Sequence, residues 1–220
     1  MPAYRSFQLN CTCGHEFKAI LWDSINVTEQ RELKSKLMNG EINQIHCKHC
    51  KKKSYVEKRL LYHDMDQRLW VQMFPGSDRT KWQELEAEHK EILKKKIHIR
   101  KYHFRLVFGR EELLEKIRIF DHKLDDRIIE LIKLKIIEQD DNVKNIPDAN
   151  LQFSQYLPEV GEIHFKMISL EKSISQTLAI PYEHYDELLE AQEHVKSPDK
   201  SAHRICDGMY INVNKMRTFH

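Results

Sequence analysis

Two hundred and twenty residues are enough for one large domain or two small ones. A 40% hydrophobic share, a 32% charged share and a formal net charge of +2 describe a folded, nearly neutral chain and exclude a polyelectrolyte tail or a disordered segment. Only 6 glycines and 6 prolines occur, and the glycines are widely scattered. No G-x-G-x-x-G fingerprint, phosphate-cradling Gly-Lys-Ser/Thr loop, G-x-S-x-G elbow or H-E-x-x-H helix is present. The usual nucleotide-binding and hydrolase motifs therefore lack support.

In chain order, Ser6 to Asn10 and Phe17 to Trp22 read as strands flanking a cysteine pair. Asn26, with Glu29 three residues on, predicts a capped helix carrying Leu33 and Leu37 and ending at Asn39-Gly40. Ile42 to His46 leads into a second cysteine pair. Tyr55 to Tyr62 and Leu69 to Phe74 predict a hairpin turning at His63 to Gln67, and Pro75-Gly76-Ser77 marks a boundary. A helical stripe follows through Trp82, Leu85, His89, Ile92 and Lys96, with His89 read as a packed core histidine. Tyr102 to Phe108 reads as a strand. Leu113, Leu114, Ile117 and Phe120 then form one helix face, with a break at Asp121-His122. The next helix is apolar on most sides from Ile128 to Ile137, so it belongs centrally or at a subunit contact. Its charges, Asp125 and Asp126 early and Lys133 and Lys135 late, suit the helix dipole. The tail predicts a hairpin of Leu151 to Leu157 with Glu162 to Ile168 and a strand from Ser173 to Ile180. An acidic helix from Glu183 to Val195 and a final strand from Met209 to Val213 complete it.

Four of the 5 cysteines form two close pairs, Cys11-Thr12-Cys13-Gly14 and Cys47-Lys48-His49-Cys50. No signal-peptide core precedes them and no stretch reaches the length of a membrane span, so the expected compartment is the cytoplasm. There, paired cysteines bind metal more often than they form disulfides. Cys11, Cys13, Cys47 and Cys50 are the expected ligands of a structural zinc, with iron the open alternative. His15, His46 and His49 border the pairs, and Cys206 stands apart. Four thiolates on a dication leave a double negative charge that the neighbouring lysines offset.

These stretches carry a resemblance. Cys11-Thr-Cys13-Gly14-His15-Glu16-Phe17, Asn39-Gly40-Glu41-Ile42-Asn43, Cys47-Lys-His-Cys50 and Leu60-Leu61-Tyr62-His63-Asp64 resemble CpXC-domain proteins. So do Leu106-Val107-Phe108-Gly109-Arg110-Glu111-Glu112-Leu113, Lys116-Ile117-Arg118-Ile119-Phe120 and Leu124-Asp125-Asp126. The resemblance covers roughly residues 8–135 and implies a metal held by the two cysteine motifs. The chain departs from it in the first motif, which is Cys-x-Cys here instead of Cys-Pro-x-Cys, a tighter loop. In the second motif Lys48 replaces a proline.

The expected protein is α+β, with a zinc-ribbon-like antiparallel sheet and an inserted helix over residues 1–78. A helical region over 79–141 and a mixed α+β region over 142–220 follow. A closed four-sulfur site has no open position for substrate, so a non-enzymatic module for protein partners or self-association is expected, with no membrane contact. Residues 1–80 hold 13 Lys and Arg against 9 Asp and Glu, concentrated from His46 to Arg59. This raises nucleic-acid binding through Lys48, Lys51, Lys52, Lys53, Lys58 and Arg59, with Tyr55 and Tyr62 as stacking rings. The plainer reading is a solvated edge guarded by lysines. The best groupings for catalysis are His63-Asp64 with Asp66 and Asp121-His122 with Asp125 and Asp126. A polar turn and a helix start explain these without chemistry.

Overall fold

Apolar alternation on either side of the first cysteine pair builds a hairpin. In the computed structural model, which describes residues 2–94, 101–146, 148–169, 171–194 and 200–216, β1 (Ala3–Asn10) pairs antiparallel with β2 (Glu16–Asn26). Only the end of β2, Ser24 to Asn26, reaches the next strand, so most of the hairpin is a two-stranded ribbon with the cysteine loop at its tip. The chain folds as two compact units, Met1–Leu113 and Leu114–His220.

In the first unit α1 (Glu32–Met38), β3 (Gln44–His46), β4 (Lys53–Tyr55), β5 (Leu60–Asp64) and β6 (Leu69–Phe74) follow β2. A 3-10 turn at Gly76–Lys81, α2 (Trp82–Lys94) and β7 (His103–Phe108) come next. The sheet order is β1-β2-β5-β6-β7, and β3 and β4 form a separate hairpin. The α+β class and the inserted helix are as expected, but the sheet is mixed and not wholly antiparallel: β2–β5 and β6–β7 are parallel. Each parallel pair is joined by a crossover carrying a helix, α1 in one and α2 in the other, as parallel strands require. The core takes Leu21 and Ile25 from β2, Leu33 and Leu37 from α1, Leu60 and Tyr62 from β5, and Val71 and Met73 from β6, all buried.

Local signals shift by a few residues. Asn26 does not cap α1. Its side chain accepts from the Thr28 and Glu29 backbone N–H groups (3.1 and 3.2 Å) and closes a turn ahead of the helix. The stop is as read: Gly40 N–H bonds Leu37 O at 3.0 Å and Glu41 N–H bonds Lys36 O at 2.8 Å, a Schellman ending with Gly40 at φ +77. His89 packs edge-on against Phe74 (5.4 Å) and bonds the Leu85 carbonyl (2.9 Å). On the same stripe Leu85 is buried, Ile92 is 50% exposed, and Lys96 lies outside the described residues.

In the second unit β8 (Asn150–Leu157), β9 (Glu162–Ser169) and β10 (Ile174–Pro181) form an antiparallel meander ordered β10-β9-β8. Helix α3 (Arg110–Asp121) begins in the first unit and continues here. It is followed by α4 (Asp126–Gln139), α5 (Asp141–Lys144), α6 (Glu183–His194) and α7 (Lys200–Cys206). Asp125 caps α4 by accepting from the Arg127 N–H at 2.9 Å. Ile128, Ile129, Ile132 and Ile136 of α4 share one core with Phe153, Ile163, Phe165 and Met167 of the sheet, so α4 is central to this unit.

Two readings of the tail and of α4 are corrected. Met209 to Val213 is not a strand. All five residues are buried, the Val213 N–H bonds the Glu130 carboxylate at 2.9 Å, and a 3-10 turn (Val213–Met216) follows. Lys133, read as a charge near the helix end that suits the dipole, sits mid-helix and is buried in a chain of charges. Asp126 pairs with Lys116 at 3.1 Å, Lys116 with Glu130 at 3.1 Å, Glu130 with Lys133 at 2.9 Å and Lys133 with Glu115 at 3.0 Å. The Phe153 N–H closes the chain on Glu115 at 2.6 Å. Burial pushes the Glu115 carboxyl up, against the pull of Lys133. Burial also opposes charge on Lys133, but Glu115 and Glu130 outweigh it and hold that ammonium above its ordinary value. Among the described residues, no helix is long and apolar enough to cross a membrane.

Candidate metal centre

The tip of the β1–β2 ribbon supplies two sulfurs. The Cys11 N–H bonds His15 O at 2.9 Å and the Gly14 N–H bonds Cys11 O at 2.8 Å, a tight turn that requires Gly14 at φ +84. The β3–β4 hairpin supplies the other two. There the Cys47 N–H bonds Lys52 O at 3.0 Å, the Lys51 N–H bonds Cys47 O at 2.9 Å, and Lys51 takes the left-handed position at φ +62. Two turns of different length thus aim their sulfurs at one point.

All four Sγ atoms lie within 4.8 Å of one another. Across the loops Cys11 Sγ stands 3.5 Å from Cys50 Sγ, and Cys13 Sγ 3.8 Å from Cys47 Sγ. Ligands about 2.3 Å from a tetrahedral zinc lie about 3.8 Å apart, so this spacing suits one ion. The shorter Cys-x-Cys loop brings both of its sulfurs to the cluster. The backbone N–H of Cys13 holds the Cys11 thiol down at about 6. The His15 N–H helps Cys13 likewise, but desolvation and its sulfur neighbours carry that thiol up to about 11. Four thiolates this close would need a cation among them. His49 Nδ1 lies 3.7 Å from Cys13 Sγ, and its ring stacks on His15 at 5.5 Å. Cys206 belongs to the other unit: its sulfur faces Arg127 O at 3.8 Å, and burial pushes its thiol to about 11.

One residue that positions this centre escaped the sequence reading. Asn43 is buried, sits at φ +58, accepts from the Trp22 N–H at 2.6 Å and donates to Trp22 O at 3.2 Å. It thereby ties β2 to the segment that leads into the second cysteine loop. The only signal was its place in the stretch Asn39 to Asn43. Asn43→Ala leaves both Trp22 backbone groups without these partners. It is expected to cost about 1–3 kcal/mol, read by urea unfolding.

The basic run divides. Lys48, Lys51, Lys52 and Lys53 are exposed around the sulfurs. Lys58 instead pairs with Asp23 at 2.5 Å and lies over the Phe7 ring (4.7 Å), while Arg59 lies over Phe74 (4.8 Å). Tyr62 is buried, which removes it as a stacking ring, and Tyr55 is 37% exposed. Hydrogen bonds from Arg5 and Lys58 hold the Asp23 carboxyl down at about 2, below its ordinary 3.8. A depressed folded value stabilises above the unfolded value and is lost as pH falls through the folded one. Wild type should therefore lose stability between pH 3.8 and about 2 more steeply than Asp23→Asn, read as urea midpoints against pH.

In the two carboxylate–imidazole groupings the side chains hold a turn, a helix cap, an ion pair and ring contacts. Asp64 accepts from the Gln67 N–H at 3.1 Å to hold the hairpin turn, and His63 stacks on Trp70 (4.8 Å) and Tyr102 (5.4 Å). Asp125 caps α4, Asp126 pairs with Lys116, and His122 packs against Phe153 at 5.6 Å.

Fold and site define a mixed α+β protein whose N-terminal unit gathers four cysteines from two turns into a cluster suited to a metal. The chain belongs to the CpXC family: the family described as CpXC protein matches residues 9–133, which takes in both turns and reaches Lys133 of the buried charge chain. No curated protein and no solved structure matches the chain.

Proposed function

We propose that this CpXC protein is a non-enzymatic zinc-binding module, with a structural Zn²⁺ held by Cys11, Cys13, Cys47 and Cys50. The observation that carries the reading is the convergence of the four sulfurs within 4.8 Å. Four thiolates fill a tetrahedral zinc and leave no position for water or substrate. Lys48, Lys51, Lys52 and Lys53, exposed beside them, offset the double negative charge of such a centre. A reducing compartment such as the cytoplasm suits four thiolates. The metal joins the ribbon tip to the β3–β4 hairpin and so presents the N-terminal unit to a protein partner or a second copy. Tyr4 and Ile20, 58% and 59% exposed on the ribbon, supply apolar surface for this.

Metal analysis of the purified chain should find one zinc per chain. Iron, or a folded chain with no metal, overturns the zinc assignment. Capture of the tagged protein from its own cells, with and without nuclease, tests the role. Protein partners that survive nuclease support it.

A second reading rests on the four exposed lysines at the cysteine loops, which can follow a nucleic-acid backbone. It predicts binding to random oligonucleotides that falls steeply between low and moderate salt. A flat salt response counts against it.

A further inference from the structure

The four sulfurs differ in access. Cys13 and Cys50 are exposed, Cys11 is half-buried and Cys47 is buried. All four sulfurs lie within 4.8 Å of one another, and two of the contacts cross the loops: Cys50 to Cys11 at 3.5 Å and Cys13 to Cys47 at 3.8 Å. Each exposed sulfur therefore has a more shielded one within contact distance on the other loop. Resting on the zinc assignment above, we propose that the centre is a reversible peroxide-responsive tie. In it, oxidation exchanges the metal for two cross-loop disulfides, Cys11–Cys50 and Cys13–Cys47.

The chemistry balances with a hydroperoxide as the oxidant. An exposed thiolate attacks one peroxide oxygen, the O–O bond breaks and an S–O bond forms. With one proton, water leaves and a sulfenic acid remains. The shielded thiolate then attacks the sulfenic sulfur. The S–O bond breaks, the S–S bond forms, and with a second proton a second water leaves. Each pair gives two electrons to one hydrogen peroxide. Two pairs use two peroxides and four protons, release four waters, and set the zinc free as a dication.

The pairing decides what oxidation does to the fold. A disulfide within the Cys47–Cys50 loop would leave the β3–β4 hairpin untied from the ribbon tip. The cross-loop pairing replaces one tie by another, so the two loops stay joined without metal. A thiol reductant and zinc restore the original centre.

The test uses the zinc-loaded full-length chain and hydrogen peroxide. Released zinc is read with a colorimetric chelator, and the product is digested without reduction and mapped by mass spectrometry. The expected result is complete release of zinc at two peroxides per metal, with Cys11–Cys50 and Cys13–Cys47 disulfides. Amide exchange over residues 44–55 should stay as slow as in the zinc form, whereas reduced chain stripped by chelator exchanges fast. Zinc retained under peroxide overturns the proposal, as do disulfides within the loops or sulfinic acids. A response that vanishes in Cys206→Ser also overturns it, because it would belong to the fifth thiol. A chain that binds no zinc before any peroxide is added overturns the zinc assignment itself, so the two failures are told apart.

Discussion

Cys47→Ser is expected to empty the metal centre and release both cysteine loops. Cys47 is the buried member of the set, and its backbone N–H and carbonyl hold the turn that presents Cys50. A serine hydroxyl replaces the thiolate poorly, and the three remaining sulfurs would face one another without full neutralisation. Structural zinc contributes about 10–16 kcal/mol in small zinc domains, and a loss of even about 3 kcal/mol shifts melting by more than about 10 °C in a unit of this size. The effect should be local. β5, β6 and α1 carry their own core of Leu33, Leu37, Leu60, Tyr62, Val71 and Met73, so the sheet should persist while the ribbon tip and the β3–β4 hairpin lose exchange protection. Zinc content, thermal melting and amide exchange read this together. Cys206→Ser, at a thiol of the second unit hydrogen-bonded to Arg127 O, should leave all three unchanged.

The second large effect lies in the other unit. Glu130 accepts from Lys116 at 3.1 Å, Lys133 at 2.9 Å and the Val213 backbone N–H at 2.9 Å, and it is fully buried. Glu130→Ala leaves two ammonium groups short of a counter-charge and one backbone donor without its acceptor. Removing one partner of a buried ion pair costs about 3–5 kcal/mol, because the other charge remains buried. Glu130→Ala should therefore destabilise the second unit by about that amount in urea unfolding. A loss below about 1 kcal/mol would show that the buried charges rearrange or ionise differently.

Both effects bear on what was legible in the sequence. The cysteine pairs could be read because ligand spacing is a local property: two residue types, close together, each in a turn. The Asn39-Gly40 helix stop was legible for the same reason, since a left-handed ending is specified by one glycine. Strand pairing is not local. The mixed sheet depends on which strand β2 meets after α1 and the β3–β4 hairpin, and no residue in β2 states that. Lys133 reads as a late charge suiting the helix dipole until Glu115, eighteen residues earlier, is placed beside it. Met209 to Val213 alternates like a strand, but its partner is a carboxylate on α4 and not another strand. Asn26 and Glu29 carry the capping pattern, and the chain uses the asparagine to close a turn instead.

Cys11 and Cys13 are the sharpest case. The single spacer makes a tighter loop than the Cys-Pro-x-Cys form, with both sulfurs still expected as ligands. The left-handed Gly14 and the Cys11 N–H to His15 O bond fold the loop so that both sulfurs reach the cluster. The measurement that tests the central claim most directly is X-ray absorption at the zinc edge of the purified chain. The account predicts a single shell of four sulfurs at about 2.3 Å. A shell containing nitrogen from His49 or His15, or fewer than four sulfurs, would contradict it.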